Sequence, residues 1–197
     1  METSAPKTGP RSMLRAGIVI AVAVIIADHI TKWLAVKHLA DGPILLIEGF
    51  LDFTLAYNRG AAFSLFAEMS DQWRIALLGG FAVVASALLL YALKRVDSRL
   101  QGTALALVLG GALGNLIDRV RLGSVVDFIH AHWHDLSWPI FNIADSAITI
   151  GVGLLIWDAF VGGSETENQG KHVAAKTGVA AKTGVADKAT DEEAQST

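Results

Sequence analysis

The sequence predicts an all-α membrane protein with four transmembrane helices and a small extracytoplasmic β element, with a loop or helix over the outer face. The first observation is composition, since 52% of the 197 residues are hydrophobic and only 18% are charged, against about 25% charged residues in soluble domains. The second is a series of four long apolar segments with short connections. A helix of about 20 apolar residues is long enough to cross a bilayer.

The apolar segments cover residues 13–39, 73–93, 102–117 and 140–160. The first follows a basic segment, as a secretory signal would, but no clear small-residue cleavage site comes after it. We therefore interpret it as a retained helix. The third segment is the shortest and is rich in Gly and Ala, which favours close packing against neighbouring helices.

Polar sequence flanks the apolar segments on both sides. The tail contains VAAKTG twice in succession. A repeat without large apolar side chains cannot bury a core and is typical of disorder. We therefore predict a disordered leader over residues 1–12, a four-helix transmembrane domain over 13–160 and a disordered cytoplasmic tail over 161–197.

Lysine and arginine are concentrated on one side of the predicted membrane domain. They occur before or at the very start of the first segment and between the second and third, at Lys7, Arg11, Arg15, Lys94, Arg95 and Arg99. Cytoplasmic connections carry an excess of basic residues. Both termini are therefore predicted to be cytoplasmic, and the other two connections extracytoplasmic.

The first outer connection is predicted to contain a β-hairpin. Residues 44–47 and 51–57 are two short strand-like segments separated by a turn at Glu48 and Gly49. Large apolar and polar side chains alternate in the second segment, LDFTLA, as they do in a half-buried strand.

Two carboxylates in apolar surroundings are the strongest candidates for chemistry. Asp127 lies in VVDFI and Asp145 in FNIADSAI, and ionisable groups at membrane depth are costly unless they are used. Two carboxylates held close together share a proton. The ionised acid can then deprotonate water while its partner polarises a peptide carbonyl, as in aspartic proteolysis. The alternative is two unrelated acids, one of them at a helix N-terminus, where the helix dipole favours negative charge.

Other unusual polar residues are predicted at the same outer face. They are Asp28, Asn58, Asn115, Asp118, Arg119 and Asn142. Asp28 is four residues before Lys32, so the two side chains can pair on one helix face. We interpret this pair as a mutually neutralising structural element that braces the site.

A metal site is a weaker hypothesis. Three histidines alternate along HAHWHD, next to Asp135: His130, His132 and His134. Alternate positions of a strand could present imidazoles to one ion. Because loop histidines at a membrane interface are more often solvated or packed against an aromatic ring such as Trp133, no metal or other cofactor is expected.

The composition disfavours several other classes. The chain has no cysteine, which excludes disulfides, thiol catalysis and cysteine-ligated metal. Its net charge of −3 gives no reason to expect nucleic acid as a partner. A serine mechanism is disfavoured, because no G-x-S-x-G motif is present and nothing in the sequence brings Ser64 close to Lys32.

Five sequence blocks carry a family resemblance: DHITK, NRGAAFS, GGALGNLIDR, GSVVDFI and FNIADSAI. In their order, spacing and four-span topology, roughly residues 14–160 resemble the lipoprotein signal peptidase (signal peptidase II) family. The resemblance implies an aspartic endopeptidase of the bacterial cytoplasmic membrane. It also implies cleavage of prolipoproteins just before the cysteine that carries a diacylglyceryl group.

The resemblance also implies roles for particular residues and partners. The motifs place the catalytic dyad at Asp127 and Asp145. The remaining positions are implied to bind substrate or to orient the dyad: Asp28, Lys32, Asn58, Asn115, Arg119 and Asn142. The expected partners are lipid-modified prolipoproteins and membrane lipids, and the expected state is a monomer.

Two rival functions come from other classes. A small transporter or channel would use Asp28, Asp127 and Asp145 as an ion relay, but such a relay needs acids spread across the bilayer rather than gathered at one face. A non-catalytic lipoprotein-binding protein would bind the same precursors without cutting them. Only a cleavage assay separates that second rival from an enzyme.

Overall fold

Four long helices dominate residues 10–60, 70–134 and 136–161, the part of the chain that the computed structural model describes. The helices are α1 (Pro10–His38), α2 (Asp71–Leu93), α3 (Arg99–Leu122) and α4 (Ile143–Val161). All four are long and apolar enough to cross a membrane, as predicted. The chain up to Leu155 forms one compact unit and a second begins at Ile156. The packing contacts that build the site lie in the first unit.

Two helices extend beyond the predicted apolar segments. Helix α1 begins at Pro10, three residues before the predicted start. Helix α3 extends from Arg99 to Leu122, well beyond the apolar segment at 102–117. Its last turns include Asn115 and Asp118, which are buried and satisfied by polar partners. A C-terminal helix end predicted from hydropathy alone therefore falls several residues too early.

The described residues also form a four-stranded antiparallel sheet in the order β1-β2-β3-β4. The strands are β1 (Ile44–Ile47), β2 (Leu51–Asn58), β3 (Val125–Trp133) and β4 (Leu136–Ser137). The predicted hairpin of β1 and β2 is confirmed. Strand β3 extends the sheet beyond the prediction, so the all-α description understates it. The first four residues of β3 are all buried, which removes the alternation that would have revealed a strand.

A glycine makes the transition from α3 to β3. Gly123 ends the helix with φ +70°, and its N–H donates to the carbonyl oxygen of Arg119 at 3.0 Å. Glycine adopts this left-handed conformation without a steric penalty, which is why it commonly follows a helix end. The chain can therefore turn sharply, and β3 begins two residues later.

Strand β3 is held against α1 by an apolar cluster. The buried members are Ala35, Leu39 and Phe128. The ring of Phe128 meets that of Phe53 on β2 edge to face, with centroids 5.9 Å apart. Burial of such aromatic rings is a major stabilising contribution. It fixes the strand that carries Asp127 over the end of α1.

Glycines in α3 allow its neighbours to approach closely, as the sequence predicted. A Cβ added to Gly110 would lie 2.8 Å from the carbonyl oxygen of Ala21 on α1. A Cβ added to Gly111 would collide with the carbonyl oxygen of Ala144 on α4. Small residues at helix interfaces of membrane proteins permit this backbone contact. Helix α3 therefore lies directly against both α1 and α4.

Replacing Gly111 by alanine is expected to lower stability by about 1–3 kcal/mol, the usual cost of overpacking. The new methyl group meets backbone of α4, which cannot rotate away. The matched control is Gly80→Ala, because a Cβ there has no neighbour within 4 Å and alanine is the better helix former. Thermal unfolding in detergent, followed by tryptophan fluorescence, measures both. Equal midpoints for the two variants would contradict the close packing of α3 and α4.

Candidate active site

The predicted site residues come together where α1, α3, α4 and the sheet meet. Asp127 lies on β3 and Asp145 in the first turn of α4. The supporting residues form chains of contacts that connect these two carboxylates. They are Asp28 and Lys32 on α1, Asn58 on β2, Asn115 and Arg119 on α3, and Asn142 just before α4.

Asn142 and Asp145 cap the N-terminus of α4 reciprocally. The backbone N–H of Asp145 donates to Oδ1 of Asn142 at 2.9 Å, and the backbone N–H of Asn142 donates to Oδ2 of Asp145 at 3.3 Å. Asn is a favoured N-cap residue, and an acidic or amide side chain three residues later completes a capping box. The local sequence NIAD thus sets the position of the Asp145 carboxylate.

The same Asn142 also contacts Asp127. Its Nδ2 donates to Oδ1 of Asp127 at 2.6 Å and to the carbonyl oxygen of Val126 at 3.3 Å. The residue is fully buried. One side chain therefore bridges the strand and the helix that carry the two acids.

Asn115 forms a second link, on the side of α3. Its Nδ2 donates to Oδ1 of Asp145 at 2.7 Å, and its Oδ1 accepts from Lys32 Nζ at 3.1 Å and from Asn142 Nδ2 at 3.2 Å. Donors and acceptors on both sides leave a single orientation for this amide. Asp145 is consequently held from both α3 and its own helix.

Asp127 is buried, with 1% of its surface exposed to solvent. Burial raises its pKa to about 6, and repulsion from Asp145 adds to that rise. Hydrogen bonds from Asn58 and Asn142 act in the opposite direction by favouring the carboxylate. Desolvation disfavours the charged form of an acid, so Asp127 retains a proton at higher pH than an ordinary aspartate.

A buried ion cluster contacts the residues that hold the two acids. Lys32 Nζ is 2.7 Å from Oδ2 of Asp28 and 2.9 Å from Oδ2 of Asp118. The Asp28–Lys32 pair predicted from the i,i+4 spacing is therefore confirmed. Lys32 is 3% exposed and paired with two acids, so it is not placed to act as the base for a serine nucleophile. Ser64, the other half of that hypothesis, lies outside the described residues.

The ion cluster also anchors the elements that carry the acids. Oδ1 of Asp28 accepts from the backbone N–H of Ala144 at 2.9 Å, next to Asp145 on α4. Oδ2 of Asp118 accepts from the backbone N–H of Val126 at 3.1 Å, next to Asp127 on β3. The sequence prediction placed Asp118 at this face but gave it no role in the site. Its position in GNLIDR, three residues after Asn115, was the available signal.

Arg119 supplies positive charge beside the two acids. Its Nη1 donates to the carbonyl oxygen of Asn115 at 3.3 Å, and its guanidinium interacts electrostatically with both Asp145 and Asp127. Arginine stays charged in proteins. It can therefore offset negative charge that develops near the acids.

A cavity of about 370 Å³ opens beside Asp145. Its walls combine this carboxylate with aromatic and aliphatic side chains: Trp138, Phe141, Asp145, Ser146, Thr149 and Ile150. Ligand sites in proteins commonly have apolar walls with a few polar groups. The cavity can accept an apolar chain and present a carboxylate to it.

The histidines that suggested a metal site separate into two groups. His130 and His132 both lie next to Asp52, whose hydrogen bond from Thr54 lowers the pKa of that carboxyl. His134 is not part of this group; it has φ +51° and its ring packs against Trp133. Asp135 lies outside the described residues. Asp52 was not identified from the sequence as a partner of these histidines.

Comparison with known proteins identifies the family. The family model described as Signal peptidase (SPase) II matches residues 20–161. The lipoprotein signal peptidase of Teredinibacter turnerae is 47% identical over 147 residues, which cover 73% of this chain and 86% of that protein. The lipoprotein signal peptidase of Azoarcus sp. is 44% identical over 141 residues, which cover 71% and 80%.

Solved structures have the same fold. A bacterial membrane enzyme structure determined by the in meso method at 2.3 Å resolution aligns with a TM-score of 0.67 at 34% identity, covering 76% of this chain and 90% of that one. A second, at 1.9 Å resolution, aligns with a TM-score of 0.64 at 35% identity, covering 72% and 90%. The chain therefore belongs to the signal peptidase II family, the aspartyl endopeptidases of lipoprotein processing.

Proposed function

We propose that this chain removes signal peptides from diacylglyceryl-modified prolipoproteins by cutting before the lipidated cysteine, with Asp127 and Asp145 as the catalytic dyad. The observation that carries the proposal is the double contact of Asn142, which donates to Asp127 through its side chain and to Asp145 through its backbone. A single buried residue thus holds two acids from different elements in one site.

The surroundings of the two acids suit different roles. Asp127 is buried and its pKa is raised to about 6, which suits it to hold the proton of the dyad and to donate a hydrogen bond. Asp145 is partly exposed, faces the cavity and accepts N–H hydrogen bonds at a helix N-terminus. An acid that faces the cavity, with its oxygens oriented by N–H donors, is placed to take a proton from water. We assign Asp145 as the base that activates water.

The reaction then follows from these positions. Asp145 takes a proton from water as the oxygen attacks the scissile carbonyl carbon, and protonated Asp127 hydrogen-bonds the carbonyl oxygen as negative charge develops there. Asp145 next delivers its proton to the leaving nitrogen as the C–N bond breaks, which restores the starting protonation of the dyad. Arg119 offsets negative charge near both acids. General acid–base catalysis of this kind contributes about 10²–10⁴-fold.

The proposal also assigns the substrate and its side of the membrane. If both termini are cytoplasmic, as the basic residues predict, strand β3 and the start of α4, which carry the two acids, would lie at the extracytoplasmic face of the bacterial inner membrane. The apolar walls beside Asp145 suit a signal-peptide segment, with the diacyl chains directed toward membrane lipid. The chain would act as a monomer, since one chain supplies every residue assigned to the dyad and its supports.

Cleavage by the purified protein in detergent tests this proposal. A diacylglyceryl-modified precursor and its non-lipidated form are assayed in parallel, each with and without a chelator. We expect cleavage of the lipidated form alone, before its modified cysteine, and no loss of cleavage with chelator. Binding of the precursor without cleavage would instead indicate a carrier, and cleavage of both forms would contradict the assigned substrate.

Replacing Asn58 by alanine is expected to move the alkaline limb of the kcat/KM profile to higher pH. The Asn58 hydrogen bond favours ionised Asp127, so its loss raises the pKa of Asp127 further. The protonated acid then persists to higher pH. Profiles of kcat/KM against pH measure the shift. Tyr57→Phe, at an exposed neighbouring position on the same strand, is the matched control and should leave the limb in place. An unchanged limb or a shift to lower pH in Asn58→Ala would exclude this role for Asn58.

A further inference from the structure

We propose a zinc site on the sheet, formed by Asp52 on β2 with His130 and His132 on β3. It is separate from the dyad and would be structural rather than catalytic. The proposal concerns residues outside the dyad and its supporting network, so it does not depend on the proposed function.

The possible ligand atoms of the three side chains lie close together. Oδ2 of Asp52 is 3.0 Å from Nδ1 of His130 and 3.1 Å from Nε2 of His132, and all three atoms lie within 4.8 Å of one another. Tetrahedral zinc with bonds of 2.0–2.1 Å separates its ligand atoms by roughly 3.4 Å. Lengthening the two distances from Asp52 to the histidine nitrogens by about 0.4 Å would therefore bring them to the separation found around zinc.

The strand register explains why these residues converge. Asp52 is directly opposite His130 in the antiparallel β2–β3 pair, and His132 is two residues further along β3. Residues two apart in a strand share a face. The centroids of the His130 and His132 imidazole rings are 5.0 Å apart, and the ring planes are inclined by 31° to each other. The sheet itself holds the three groups in place.

Further hydrogen bonds support the ligands from outside. Nε2 of His130 is 2.8 Å from Oγ of Ser137 on β4, so the other ring nitrogen, Nδ1, is the one turned toward Asp52. Thr54 donates to the second carboxylate oxygen of Asp52. Metal-binding histidines and carboxylates are commonly oriented by such outer partners. The side chains of the three ligands are 15–25% exposed, which leaves room for water as a fourth ligand.

A bound ion would join the two strands that flank the active site. Its ligands come from β2 and β3, and His130 follows Asp127 by three residues on β3. The ion would therefore resist separation of β3 from β2 without contacting the dyad. The expected effect is higher thermal stability, since a ligand that binds only the folded state stabilises it.

Zinc binding by the full chain tests the site. The protein is purified in detergent through a tag without histidine, stripped with chelator and titrated with ZnCl2 by calorimetry, and cobalt substitution reports tetrahedral geometry by absorption. We expect one ion per chain and a raised thermal midpoint. Asp52→Asn and the double variant His130→Ala/His132→Ala should each weaken binding at least about tenfold.

His134→Ala is the matched control, because it removes a histidine from the same segment but not from the cluster, and it should bind zinc normally. Asp127→Asn should also bind normally, which separates this proposal from the catalytic one. Absence of saturable zinc binding would leave a hydrogen-bonded His–Asp–His group and overturn the proposal. Equal zinc affinity in Asp52→Asn, an isosteric change, and in the unmodified protein would overturn it too.

Discussion

Replacing either Asp127 or Asp145 by asparagine is expected to reduce cleavage of a lipidated precursor by at least about 10³-fold, in the upper part of the range for general acid–base catalysis. Asparagine keeps the size of the side chain. At position 145 it cannot accept the proton of water, and at position 127 its amide is a weaker hydrogen-bond donor to the developing oxyanion than a carboxylic acid. The two acids act as one unit, so each single variant should lose nearly as much as the double variant. Initial rates with purified variants measure the loss.

The control for this experiment is Asp41→Asn, at an exposed position between α1 and β1. It removes one carboxylate without touching the site and should cleave at the normal rate. All variants should be recovered from membranes at similar levels and should still bind the precursor. Near-normal turnover in either Asp127→Asn or Asp145→Asn would remove that residue from the dyad.

Replacing Lys32 by methionine is expected to cost about 3–5 kcal/mol of stability, the usual effect of breaking a buried ion pair. At most 5% of each side chain in the Asp28–Lys32–Asp118 cluster is exposed. Methionine has a similar length but no charge, so two buried carboxylates would lose their common counter-ion. Because these acids hold the backbone at Val126 and Ala144, cleavage should fall with the thermal midpoint.

Lys37→Met is the matched control, on the same helix and at an exposed position. The Lys37 ammonium lies 5.2 Å from the centre of the Trp33 ring, and an exposed cation–π contact contributes only about 0.5–1 kcal/mol. Thermal unfolding of both variants in the same detergent gives the comparison. If Lys32→Met unfolds at the same temperature as Lys37→Met, the cluster does not support the site.

Local patterns along the chain predicted much of the fold. Continuous apolar stretches marked the four helices, because a bilayer imposes a minimum apolar length on every spanning segment. Alternation in LDFTLA marked the β1–β2 hairpin. Strand β3 was not predicted. Residues Val125–Phe128 are all buried, so buried and exposed side chains do not alternate there, and a short apolar run of that kind does not distinguish a strand from a helix.

The order of residues was enough to show that two acids lie in apolar surroundings and that Asp28 and Lys32 can pair on one helix face. The bridge that Asn142 makes between Asp127 and Asp145 is visible only in the folded chain. The same is true of the contact between Asp52 and His130, which are 78 positions apart in the chain. Such contacts are set by strand register and helix packing, which depend on how distant segments bury their apolar faces together. Hydropathy and periodicity describe only neighbouring residues, so they located the groups but not their partners.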